Sequence, residues 1–200
     1  MRVDLILLCF AYVLSQFYRA FLAVLTEVLE RDVGASPEDL ATASGLWFLA
    51  FAAMQIPVGW ALDKVGPRRT ASVLLLIGGG GGAAVFALAS APVHISIAML
   101  LIGVGCSPVL MASYYIFART YPAAVFATLA AVILGVGSVG NLASALPTTL
   151  AVEAFGWRAV VAGTAVVSVL TALGLFFIVR DPEAAQFDVK GSLFDLLKMP

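Results

Sequence analysis

The chain reads as an all-α membrane protein: six transmembrane helices arranged as two three-helix units of inverted topology. Composition, the spacing of its turn signals and an internal repeat carry that reading. Of the 200 residues, 62% are hydrophobic and 12% charged, with mean hydropathy +1.05. A soluble domain carries about 25% charged residues, so lipid rather than water surrounds most of this surface. Net charge is −1, which argues against a nucleic-acid partner. Cys9 and Cys106 lie within apolar runs and read as small buried hydrophobes; a disulfide would need an oxidising compartment. The first apolar run is too long for a cleavable signal peptide and lacks a small-residue cleavage site.

A membrane span needs about 20 apolar residues. Six runs qualify, at roughly 4–27, 40–61, 71–90, 94–117, 123–150 and 159–179. Turn or charge signals follow each in order: ERDVGASPED, DKVGPRR, SAPVH, ARTYP, EAFGWR and RDPE. The fifth run is long for one crossing and contains Pro147, so a kink is expected there. Basic residues then set the orientation. Arg2, Lys64, Arg68, Arg69, Arg119, Arg180, Lys190 and Lys198 share one side, against Arg31 and Arg158 on the other. Both termini are therefore expected in the cytoplasm of a cell whose inner membrane, bacterial by expectation, holds the chain. The six-helix domain is assigned to residues 1–180, with repeat units about 1–90 and 91–180. In the tail, residues 181–200, Val189, Leu193, Leu196 and Leu197 fall on one helical face. That suits a helix lying on the inner membrane surface, or equally a linker.

The repeat lies at two helix-loop junctions. PVGWALDKVGPR (57–68) and PTTLAVEAFGWR (147–158) align Pro57 with Pro147, Ala61 with Ala151, Asp63 with Glu153, Gly66 with Gly156 and Arg68 with Arg158. Each stretch closes the second helix of a three-helix unit. Three spans separate them, so they end on opposite faces. Inverted three-helix units build the halves of many transporters.

The first stretch also carries a motif, Gly59-x-x-x-Asp63-Lys64-x-Gly66, followed by Arg68 and Arg69. A positive-inside loop explains the basic residues but not this spacing. The pattern resembles the signature between helices two and three of the major facilitator superfamily. There it latches the cytoplasmic side and breaks as the protein changes state. The resemblance implies that Asp63 is the latch acid and that Arg119, at the end of the fourth helix, is its partner. The outer echo, with Glu153, Gly156 and Arg158, is similar to that family too. The likeness runs over the whole chain, as the first six of the family's usual twelve helices. A second six-helix half is therefore an expected partner, supplied by a further domain or by a second copy.

Arg19 interrupts the first span. Arginine at mid-membrane costs about 2.5–3.5 kcal/mol on insertion scales. Counted from a span ending at residue 27, it lies about 6 Å outward of the middle. Tyr12, Ser15, Gln16 and Arg19 fall at i, i+3, i+4 and i+7, a polar stripe suited to a wet cavity. A guanidinium stays charged and grips carboxylate or phosphate with two bonds. The stripe thus reads as an anion site, or alternatively as half of an ion pair with Glu27 or Glu153. YRAFLAVL also resembles the first-helix Arg-x-x-x-Ala stretch of organophosphate:phosphate exchangers and related organic-anion transporters, through Arg19 and Ala23. The asparagine common two residues after that arginine is Phe21 here.

Other cavity candidates are Ser107, Met111 and Tyr114 on the fourth span and Ser138, Asn141 and Ser144 on the fifth. Asn141 and Tyr114 complete the expected site with Arg19, Gln16, Tyr12 and Ser15. GVGSVG (135–140) matches a dinucleotide pattern by letter, but no strand precedes it. Small residues that let helices approach explain it better, as they do Gly78 to Gly82. His94 reads as interfacial rather than a metal ligand. No nucleophile-base-acid set or nucleotide loop stands out, so neither enzyme chemistry nor a cofactor is expected. The sequence points to a secondary transporter of a small anionic solute working across a lipid bilayer. The alternative is a non-transporting membrane sensor or partner subunit, or a truncated half-transporter.

Overall fold

The computed structural model describes residues 3–182. Six of its helices are long and apolar enough to cross a membrane: α1 (Val3–Val33), α2 (Pro37–Lys64), α3 (Pro67–Ala87), α4 (Pro92–Thr120), α5 (Ala123–Ser144) and α7 (Trp157–Ile178). A shorter helix, α6 (Leu146–Phe155), continues α5. No strand occurs among the described residues. The tail surface predicted to be amphipathic lies outside them.

Helices α2, α4, α1 and α5 stand side by side in that order, with α3 packed on α4 and α7 packed on both α3 and α1. The flanking helices α2 and α5 are the least buried spans. Several of the contacts demand glycine. A Cβ on Gly105 of α4 would collide with the Gly79 backbone of α3. A Cβ on Gly140 of α5 would collide with the Val13 carbonyl of α1. With no side chain between them the backbones meet, the packing that replaces hydrophobic drive inside a bilayer. GVGSVG is thus a helix-packing surface, with Gly137 seated on the Tyr12 ring.

Proline marks the breaks, because it lacks an N–H and crowds the carbonyl four residues back. Before Pro57, α2 is interrupted at Met54. Before Pro147, the chain turns at Ala145, where the kink was expected. Hydroxyls take up the orphaned carbonyls. Thr148 donates to Ala143 at 2.8 Å, and in α4, which runs on through Pro108, Ser107 donates to Val104 at 2.7 Å.

The helices overrun the apolar runs at several ends. α1 continues past residue 27 to Val33, through a tight 3-10 turn at Phe21–Leu25. Its last two turns are amphipathic: Leu29 is buried while Glu27, Glu30, Arg31 and Asp32 face out or lie at the edge. Hydropathy alone does not see such a turn. Gly34 ends it at φ 69°. Ser36 then caps α2 by a reciprocal pair of hydrogen bonds with Asp39, so the polar residues Glu38 and Asp39 become a first helical turn rather than loop.

The repeat persists in the backbone. Gln55–Lys64 and Leu146–Phe155 are both 10-residue helices following a break. Gly66 (φ 97°, ψ 153°) and Gly156 (φ 80°, ψ 150°) adopt matching conformations, and each starts the next helix. Few residues other than glycine reach that region.

Candidate functional site

Arg19 stands beside the midpoint of α1, because that helix extends further than its apolar run. Its side chain is exposed, and its guanidinium lies over the Phe48 ring of α2, 5.5 Å from the centroid. Among the described residues no carboxylate, Glu27 and Glu153 included, is within ion-pair distance of it. Ala23 and Glu27 are exposed on the same face. Glu27 lies two turns beyond Arg19, about 12 Å along the axis.

The polar stripe of α1 does not stay together. Tyr12 and Ser15 are buried, 8% and 5% exposed. Gln16 is half-buried and donates to the Tyr12 hydroxyl. The helix therefore turns Tyr12 toward α5 and presents Gln16 and Arg19 at its edge. Asn141 is exposed on α5, one residue beyond Gly140, which abuts Val13 and Phe17. That sets Asn141 within about a turn of the Arg19 level. Its side chain has no hydrogen-bond partner among the described residues, while its carbonyl accepts from Ser144 at 2.8 Å. Tyr114 is half-buried nearer the end of α4, edge-on to Phe126 of α5 at 5.9 Å. Ser107 is buried, and half-buried Met111 sits against Gly59. Ser144 is buried and Ser138 exposed, so Arg19, Gln16, Ser138 and Asn141 are the candidates that remain accessible at mid-height.

At the motif end, Arg119 Nη2 lies 3.9 Å from Asp63 Oδ1, and the Arg119 guanidinium covers the Tyr115 ring at 4.1 Å. Gly66 caps α3 and has no side chain to offer. Asp181, just past α7, fills that role: it accepts the Arg68 backbone N–H at 2.8 Å and lies 3.4 Å from Arg68 Nε. A carboxylate there satisfies an orphan donor and meets the positive end of the helix. Arg68 also reaches the Phe176 carbonyl at 3.4 Å and lies over its ring. Sequence reasoning missed Asp181. Its signal was RDPE, an acid on the same side as the basic loop. Lys64 and Arg69 are exposed and have no ion-pair partner among the described residues.

At the echo end, Trp157 donates its indole N–H to Asp32 of α1 at 2.9 Å. Arg158 donates to the Ala89 carbonyl at 3.0 Å and lies over the Trp157 ring. Glu153 is exposed and makes no ion pair among the described residues.

The family model described as Major Facilitator Superfamily matches residues 8–198. No curated protein matches the chain. Among solved structures, it is similar to a bacterial homolog of the human lysosomal transporter Spinster, captured inward-facing and unoccupied, with a TM-score of 0.66 and 21% identity. The match covers 95% of this chain and 45% of that one, so the chain spans less than half of that protein's length. At that identity the likeness speaks for the fold. With the six apolar helices, the inverted repeat and the Asp63 motif, the family match leads to one conclusion: the chain is an integral membrane protein that belongs to the Major Facilitator Superfamily.

Proposed function

We propose that residues 1–180 form the six-helix half of a secondary transporter that carries a small organic anion or organophosphate by alternating access. The observation that carries the reading is Arg19: a permanent cation at mid-helix, accessible and without a carboxylate among the described residues. Such a charge is costly in hydrocarbon unless it faces water or a partner. An anion arriving on that face supplies the partner, with Gln16, held by Tyr12, and Asn141 offering neutral hydrogen bonds beside it. Phe48 walls the site with an aromatic ring and suits an anion with an apolar portion.

In this reading the motif end is cytoplasmic, both termini lie inside, and the membrane is a bacterial inner membrane. A second six-helix half, from further chain or a second copy, closes the cavity. The exposed Asp63–Arg119 pair suits a latch, because exposed ion pairs are weak enough to break in each cycle. Transport of this kind changes no covalent bond and calls for no cofactor.

The test is anion uptake by cells or vesicles carrying Arg19→Gln. Uptake is expected to fall to background while the amount inserted in the membrane stays unchanged. Unchanged uptake would remove Arg19 from the site, and anion binding without flux in the unaltered protein would mark a sensor instead.

A further inference from the structure

An apolar groove of about 460 Å³ opens between the second half of α2, the start of α3 and the end of α7. Its walls include Met54, Pro57, Trp60, Val73, Leu74 and Phe176. Among the described residues, Arg69 is the one charged residue lining it. Its neighbour Arg68 is held by Asp181 and Phe176. Arg69 is exposed, and no carboxylate among the described residues lies within ion-pair distance of it.

The groove therefore joins two chemistries. Its length is apolar, and Trp60 and Val73 are 64% and 45% exposed, which suits a hydrocarbon chain. Its charged residue is an exposed guanidinium, which suits a phosphate gripped through two hydrogen bonds. It also sits at the ends of spans, where lipid headgroups begin, and where Trp is favoured. We propose that this groove binds an anionic phospholipid, one acyl chain along α2 and α3 and the phosphate on Arg69. Net negative charge distinguishes this ligand from bulk zwitterionic lipid, whose amine cancels the attraction. The proposal is independent of the anion carried at Arg19.

The experiment is lipid retention on the purified full chain, counted by native mass spectrometry against phosphatidylglycerol and phosphatidylcholine of identical acyl chains. A single basic residue near the headgroups predicts about a fivefold preference for phosphatidylglycerol. Arg69→Gln is expected to abolish that preference, and Arg69→Lys to keep most of it. Val73→Trp, which fills the groove, is expected to lower retention of both lipids. Arg69 is exposed, so its variants leave packing intact, and unchanged helicity in circular dichroism verifies this. An unchanged preference in Arg69→Gln overturns the proposal. So does displacement of phosphatidylglycerol by millimolar inorganic phosphate, which would make Arg69 a free-anion site. Undiminished retention in Val73→Trp also overturns it, as expected if a second six-helix unit covers the groove.

Discussion

The two ends of the molecule each tie down a glycine-started helix with a distant carboxylate, but only at the motif end is the acid before the glycine ion-paired among the described residues. At the motif end, Gly66 opens α3 and Asp181, from past α7, holds the first turn through Arg68. At the echo end, Gly156 opens α7 and Asp32, from the end of α1, holds the first turn through Trp157. Arg68 reaches a backbone carbonyl of α7 and Arg158 one in the loop after α3, and each covers an aromatic ring. The acids in front of the glycines differ. Asp63 meets Arg119, whereas Glu153 has no ionic partner among the described residues. The position that mirrors Arg119 under the repeat offset is Leu29, fully buried. At the motif end the carboxylate takes an orphan backbone N–H of the first turn, whereas at the echo end it takes an indole N–H and so ties the helix through a side chain. The added pair is what sets the motif end apart.

Substitutions can break or sharpen this contrast. The largest effect is expected at the glycines. Alanine at either strains the backbone by about 1–3 kcal/mol. At Gly66 the new Cβ would also press the Asp181 carboxylate at 3.1 Å, whereas at Gly156 nothing lies within 4 Å. Gly66→Ala should therefore lower the thermal midpoint in detergent more than Gly156→Ala. An equal loss would deny the Asp181 clasp its role.

A smaller loss is expected for Trp157→Phe. The ring keeps its edge contact with Phe86 at 6.1 Å but loses the donor to Asp32. Adding Asp32→Asn to that variant should lower the midpoint little further, because the Trp157 bond is already gone and the remaining Arg31 pair on Asp32 is exposed and weak. Additive losses would show that Asp32 acts elsewhere. The smallest effect on stability belongs to Asp63→Asn, within about 1 kcal/mol, since the pair is long and exposed. Its consequence should appear in function: altered thiol access at the motif end, with Glu153→Gln leaving access unchanged. Matching behaviour of the two variants would erase the distinction between the ends.

Much of this was legible in residue order. Gly59, Asp63 and Gly66 fell on a helix-loop-helix junction because their spacing suits one turn of helix and a glycine start. Arg119 met Asp63 because both close spans on the same side. Pro147 broke the fifth run because proline removes a helical bond wherever it stands. Other features were not legible. Ser15 looked like a cavity residue by helical phase, yet phase does not say which neighbour covers a face, and Ser15 is buried. Asp181 read as punctuation, because its partner is 113 residues away.

The sequence by itself determined the number of spans, their breaks, the inverted repeat and the family, because these follow from hydropathy, proline and glycine chemistry along the chain. Only the tertiary structure decided which polar groups are open. Arg19 stays accessible over Phe48 while Tyr12 and Ser15 turn inward, since glycine-seated contacts such as Gly140 on Val13 fix how far α1 is rotated against its neighbours. Rotation about a helix axis is set by packing between helices, and no pattern within one helix encodes it.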